Sequence, residues 1–201
     1  APAMAPDTKI LPVLNGLAHL DRLDAVFGPE RVLGGLCQIA ATLAGDGAIV
    51  HLNKLHVLAF GHRLEPQRGF CEALQENLRS ARVEVRRSEV IVHEMWEKWV
   101  MLATLAASTC LMRAPVGCIV AAPGGEDVIT TLLDEIQAIA EANGNAARPH
   151  VLTRIRAMLT EAGSGFAASM LRDVESGNRT EADHIIGDLL NRGRDKGVAT
   201  P

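Results

Sequence analysis

A chain of 201 residues suits one large domain or two small ones. Apolar residues make up 48 % of it and charged residues 22 %, a balance that supplies a real core and excludes wholesale disorder. A net charge of −4 argues against an electrostatic binder of nucleic acid.

Ile10 to Leu14 is a short apolar run that ends in the turn signal Asn15-Gly16. Leu17, Leu20, Leu23, Val26 and Phe27 then recur at helical spacing, closed by Gly28-Pro29. Three β-like runs come next: Val32 to Thr42, Ala48 to Leu52 and His56 to Phe60. Gly45-Asp46-Gly47 joins the first two as a hairpin, and Glu65-Pro66 closes the section. Phe70, Leu74 and Leu78 give a helix stripe, and Val83-Glu84-Val85 alternates as one more strand. Ser88 is placed as the N-cap of a helix running from Glu89 to about Met112 and ended by Ala114-Pro115. A further helix opens with Glu126-Asp127, buries Val128, Leu132, Ile136 and Ile139, and stops at Asn143-Gly144. Another follows Pro149 with Val151, Ile155, Met158 and Leu159. The last begins at Thr180, with Asp183 completing a variant capping box, and buries Ile185, Ile186, Leu189 and Leu190. The expected fold class is therefore α+β, mainly α. A domain boundary near Ser88 divides 1–88, which mixes short strands, one hairpin and helices, from 89–201, which is all helical.

Cys37, Cys71, Cys110 and Cys118 form no CxxC pair and lie in apolar runs, which reads as buried free thiols in a reducing compartment. No signal peptide opens the chain. The longest apolar stretch, Trp99 to Met112, is shorter than the ~20 residues of a membrane span and is closed by Lys98 and Arg113. These features predict a soluble, cytoplasmic protein with neither membrane nor nucleic acid as partner. Arg79, Arg82, Arg86 and Arg87 read as a solvated basic face. The opening APAMAPDTK and the closing GVATP read as the ends of a piece cut from something longer.

HEMWE, His93 to Glu97, has the start of a zincin helix but Glu97 where the second histidine should stand; no metal is expected, and the segment reads as a surface helix turn. No GxSxG occurs, and Ser169 in ASM has no nucleophile elbow. GSGF at 163–166 is a glycine-serine turn, and neither GxGxxG nor a Walker loop is present. Lys98 lies among Met95, Trp96, Trp99, Leu102 and Leu105, so its ammonium either snorkels to water or faces a polar cavity, where it could act as a proton donor. Glu181 stands at the first turn of a helix, either as a dipole cap or as one wall of a cleft.

In order along the chain, WEKW before an apolar helix, RAPVG, the AEANG helix exit, SMLRD, GNRTEAD, the lone Gly187 and GVATP resemble the C-terminal part of the ketopantoate reductase family (2-dehydropantoate 2-reductases). LPVLNG, the RVLGG strand and the GDGAIVH hairpin resemble the end of that family's N-terminal dinucleotide-binding domain. The likeness covers essentially the whole chain. It implies that 1–88 is the C-terminal part of a Rossmann-like domain without its glycine-rich loop, which would lie ahead of Ala1. It implies that 89–201 is a helical substrate-binding domain, with the active site in the cleft between the two. The implied cofactor is NADPH, and the implied reaction converts 2-dehydropantoate to pantoate for pantothenate and coenzyme A synthesis.

Carried over by residue, the resemblance puts Asn15 near nicotinamide and substrate. It makes Lys98 the proton donor to the carbonyl oxygen and has Ser169 bind the substrate carboxylate. Asp173 joins the substrate groups, and Glu181 binds the substrate hydroxyl, sets the lysine and borders the cofactor. Leu102 and Val116 stand where some members carry asparagine, and Ala168 and Leu14 replace a serine and a glutamine. Each lost hydrogen-bond partner could weaken binding by about 1–3 kcal/mol. A related 2-oxo acid reductase of different substrate is therefore the alternative, and a non-catalytic helical oligomerisation module a second one. The 201-residue chain alone is expected to be inactive, and a homodimer is left open.

Overall fold

Pro12 offers no N–H to a ladder, and the first apolar run accordingly makes one isolated parallel bridge, Ile10 to Val32, rather than a strand. This computed structural model describes residues 4, 5 and 7–201. Helix α1 (Ala18–Phe27) ends where Gly28 turns left-handed at φ 86°. Strand β1 (Gly34–Leu43) turns through Gly47, also at φ 86°, with the Ala44 amide donating to the Ala48 carbonyl at 2.8 Å. It returns antiparallel as β2 (Ile49–Gly61). The two apolar runs expected on this side are thus one strand. The register slips once: Ile39 faces His56 while Ala41 faces His51, so the chain between the two histidines bulges opposite Ala40. The Leu55 amide donates to Asn53 Oδ1 at 3.1 Å and holds that slack.

Strand β3 (Glu84–Arg87) joins β2 in parallel, giving the order β1-β2-β3. A short 3₁₀ turn (Glu65–Gln67) leads into α2 (Arg68–Asn77), which covers the sheet over wholly buried Leu33, Phe60 and Cys71. The helix faces the core with Cys71, Leu74 and Leu78; Phe70, expected in that stripe, is exposed, because packing selected the residue one position on. Buried Gln67 fixes the entry to this layer. Its Oε1 accepts the Arg63 and Leu64 amides at 2.8 and 3.0 Å, and its Nε2 donates to the Pro29 and Val32 carbonyls at 2.9 and 3.0 Å. The arginine cluster is largely solvated, with Arg79, Arg82 and Arg86 exposed and Arg87 half-buried, and acidic neighbours balance it: Arg79 pairs with Glu76, Arg86 with Glu94 and Arg87 with Glu89.

Ser88 does cap the long helix. The Val90 amide donates to Ser88 Oγ at 3.1 Å, and the hydroxyl donates to Glu94 Oε1 at 2.8 Å. Helix α3 (Ile91–Met112) is apolar and largely enclosed after Lys98, and its buried hydroxyls are satisfied within it: Thr104 donates to the Val100 carbonyl, Ser108 to Thr104 and Thr109 to Leu105. Among the described residues, no helix is long and apolar enough to cross a membrane.

The remaining chain is helical: α4 (Val116–Ala121), α5 (Gly125–Ala142), α6 (Pro149–Leu159), α7 (Ser169–Glu175) and α8 (Asp188–Asp195). Short helices α4 and α7 carry too few periodic positions to announce themselves in the sequence. Helix α5 buries Ile129, Leu133, Ile136, Ile139 and Ala140, with Val128 and Leu132 at the margin, and on α6 Met158 is exposed rather than buried. The Val116 amide donates to the Phe166 carbonyl at 2.9 Å and the Gly117 amide to that of Ser164 at 2.8 Å, so the glycine-serine turn straps α4 in place. Of the thiols only Cys71 is buried; Cys118 is exposed and Cys37 and Cys110 lie between, which corrects the expectation of four buried cysteines. The residues group into two compact units, one of Ala1–Leu14 with Ala18–Met95, the other of Asn15–Leu17 with Trp96–Pro201. The first holds the sheet, the second most of the helices, and the fold is α+β, mainly α.

Candidate functional site

Two adjacent charged residues on α3 meet different partners. Glu97 is buried, not on a surface turn: its carboxylate accepts the Arg148 backbone amide at 3.0 Å, Nε at 2.8 Å and Nη2 at 2.6 Å. That bidentate fork ties α3 to the residue that precedes α6. Lys98, half-buried, sends Nζ to Asn15 Oδ1 at 3.0 Å. Asn15 in turn donates from Nδ2 to Glu181 Oε2 at 3.2 Å. The direction of the amide is forced, since an ammonium only donates and a carboxylate only accepts. One carboxamide thus stands between a cation and an anion that are far apart in sequence, and all three residues belong to the helical unit.

Glu181 reaches this position through its backbone. Its carbonyl accepts the His184 and Ile185 amides, both at 3.0 Å, starting the helix while the side chain projects to Asn15. The expected capping box of Thr180 and Asp183 does not form: among the described residues no hydrogen bond joins their side chains, and the helix begins at Asp183, after Ala182. The helix instead opens as a π-turn, Asp183–Gly187, in which the Asp188 amide reaches back five residues to the Asp183 carbonyl. Ile185 and Leu189 are buried; Ile186 and Leu190 are only partly so. Trp99, the residue after Lys98, is wholly buried and donates its indole N–H to the Ile185 carbonyl at 2.9 Å. Gly16, the residue after Asn15, sits at φ 71°, where a Cβ would come within 2.9 Å of the His184 carbonyl oxygen. Only glycine takes both that conformation and that approach without strain.

Ser169 and Asp173 do not join this bridge. Ser169 is exposed at the first position of α7, and among the described residues its hydroxyl makes no hydrogen bond to Lys98, Asn15 or Glu181. Asp173 is half-buried, and its backbone carbonyl closes the following turn by accepting the Asn178 amide at 2.8 Å. Burial pushes the nearby Cys110 thiol up, and the Asp173 charge adds to that. Val116 is wholly enclosed in the core. Among the described residues no group of three His, Cys, Asp or Glu gathers as metal ligands. The Glu97–Arg148 pair, the Trp99 donor and the role of Gly16 are not visible to motif reading. A charge set between two tryptophans is the one sequence clue to the first.

A mainly helical unit thus presents an ammonium, an amide and a carboxylate at one place. The family described as "Ketopantoate reductase PanE/ApbA C terminal" matches residues 90–201, and "Ketopantoate reductase PanE/ApbA" matches residues 1–64. The chain belongs to the ketopantoate reductase family. The uncharacterised oxidoreductase YkpB of Bacillus subtilis is 33 % identical over 200 residues, covering all of this chain and 66 % of its own length. The 2-dehydropantoate 2-reductase structure of Geobacter metallireducens superposes with a TM-score of 0.86 at 26 % identity, over 98 % of this chain and 66 % of that one. D-mandelate dehydrogenase, in a ternary structure with NADH and anilino(oxo)acetate, shares the fold with a TM-score of 0.86 at 20 % identity, over 100 % and 65 %. The chain spans about two thirds of the length of these relatives.

Proposed function

We propose that these residues form the substrate side of a nicotinamide-dependent 2-oxo acid reductase, with 2-dehydropantoate as substrate and NADPH as cofactor. The Lys98–Asn15–Glu181 bridge carries the reading. In this reading 1–88 is the later part of a Rossmann-like dinucleotide-binding domain and 89–201 the substrate domain. The donor set suits the reacting end of the cofactor and the carbonyl beside it; the 201 residues hold no glycine-rich loop to cradle its phosphates. Bound there, a reduced nicotinamide supplies hydride to a carbonyl carbon.

Charge then builds on the carbonyl oxygen, and the Lys98 ammonium stabilises it and delivers the proton from Nζ, leaving a hydroxyl. Asn15 holds that ammonium through Oδ1, so Nζ does not swing away between turnovers. Glu181 keeps the amide from flipping, and its exposed carboxylate is free to accept a substrate hydroxyl. Ser169 and Asp173 would reach the substrate carboxylate end from α7, an assignment that rests on the motif rather than on a contact. Leu102 and fully buried Val116, standing where some relatives carry asparagine, favour a 2-oxo acid less polar than 2-dehydropantoate as the second reading.

The test joins these residues to a dinucleotide-binding segment of the relatives' length and follows NADPH and NADH oxidation with 2-dehydropantoate and a panel of 2-oxo acids. Lys98→Ala should cost about 10²–10⁴ in kcat. Turnover indifferent to that change, or none with any 2-oxo acid, refutes the reading.

A further inference from the structure

Three side chains from distant parts of the sequence meet at this site, and something must set their register. We propose that Trp99 is the positioning residue that does so, by holding the π-turn against α3 through its indole N–H; this rests on the functional reading above and deepens it.

An α-helix commits each carbonyl to the amide four residues on. In the Asp183–Gly187 turn the closing bond spans five, and the wider loop lets successive carbonyls face outward. That of Ile185 takes the Trp99 N–H at 2.9 Å, and that of His184 lies against Gly16. The indole nitrogen only donates, so it needs an acceptor of this kind once buried. Each site residue is therefore within one turn of chain of the same two carbonyls: Lys98 precedes Trp99, Asn15 precedes Gly16, and Glu181, two residues ahead of the turn, accepts the His184 and Ile185 amides. Other groups fix the ring. Trp96 packs on it with centroids 5.0 Å apart, and the Arg192 guanidinium lies 5.7 Å from its centroid. Arg192 also bonds Asp188 at 2.9 Å, the residue whose amide closes the π-turn. Helix α3, the turn and the ring thus form one closed loop of contacts, of which the N–H is the directional member.

The experiment compares Trp99→Phe with Trp96→Phe in the complete protein. Both remove an indole from the same packed pair, whose planes are tilted by 43°; only the first removes this donor. Two quantities are read: the pH dependence of amine acylation at Lys98, followed by mass spectrometry, and steady-state turnover. Trp99→Phe should shift the midpoint of Lys98 labelling and lower kcat by about 10–100-fold, while cofactor KM stays put. Trp96→Phe should leave the labelling midpoint unchanged. Equal effects of the two, or an unchanged midpoint in Trp99→Phe, overturn the proposal. Should Trp99→Phe fail to fold, Gly16→Ala presses on the same turn from its other contact and must shift the labelling midpoint instead; no shift there overturns it as well. Labelling and activity separate the two claims. If Lys98→Ala leaves turnover intact, the catalytic reading falls while the labelling result still decides the role of Trp99.

Discussion

Replacing Arg148 by alanine isolates the energetic weight of the buried ion pair on α3. The Glu97 side chain is 7 % exposed and that of Arg148 is 42 %, so the anion is enclosed while the cation keeps part of its hydration. The substitution removes two charge-assisted bonds and leaves Glu97 with the backbone amide of residue 148. Fully enclosed pairs cost about 3–5 kcal/mol when one partner goes. Water entering the space vacated by a half-exposed guanidinium reduces that to about 2–3 kcal/mol. Both tryptophans of the chain lie in the helical unit, so their fluorescence in urea follows that unit selectively. With a slope of about 2–3 kcal/mol per molar, the midpoint should fall by about 1 M. Arg156→Ala is the control, because the Arg156–Asp134 pair has side chains 40 % and 65 % exposed and should contribute about 0–1 kcal/mol, fading in high salt. The double variant Glu97→Ala, Arg148→Ala should lose less than the sum of its parts. If Arg148→Ala moves the midpoint no more than Arg156→Ala does, or if its effect vanishes in concentrated salt, the account of Glu97 as an enclosed anion is wrong.

Gly16→Ala should destabilise by about 1–3 kcal/mol, through positive φ and pressure on the His184 carbonyl, seen as a lower thermal midpoint. Gly117→Ala should do at least as much, since a Cβ there would stand 2.4 Å from the Ser164 backbone nitrogen, and should raise exchange of the amide at position 117, which donates to the Ser164 carbonyl. Exposed Cys118 should react first with a thiol probe, whereas Cys71, whose thiol burial pushes up, should react only on unfolding. The Arg68 guanidinium holds the Glu65 and Glu89 carboxyls below the usual carboxylate range. A carboxyl with a depressed folded-state pKa contributes fully above its unfolded value and loses that contribution as pH falls through the folded one. Arg68→Gln should therefore flatten the acid limb of the stability profile of the sheet-bearing unit, measured by circular dichroism.

Much of the fold was open to reading because its elements are long or sharply punctuated. Helix α3 announces its start through Ser88 and its end through Ala114-Pro115, and α1 stops at a glycine that turns left-handed. Periodicity alone did not choose between neighbouring faces. Phe70 against Cys71, or Val128 against Ile129, differ by one position on a helix, and only the opposing surface decides. The continuity of β2 was hidden because Asn53 and Lys54 look like a break, whereas a bulge absorbs them. Asn15, Lys98 and Glu181 could be named from motifs, yet their connection through one amide depends on a π-turn that leaves no local mark. Glu97 was misplaced for the same reason: its partner lies fifty-one positions away, beyond any pattern window.

The Asp183–Gly187 turn holds one amino acid more than an α-helical turn would. Excising Ile186 would let the Asp183 carbonyl and the Asp188 amide close as an ordinary α-helical turn, with the residues on either side kept in phase. Ile185 and Leu189 would then be three apart instead of four, still on a common stripe, so the bundle would persist. The change would fall on the carbonyls of His184 and Ile185, which now meet Gly16 and the Trp99 indole and would be drawn into the helix's own ladder. A single codon that encodes nothing reactive thus decides whether this helix start reaches out to two other segments or closes on itself.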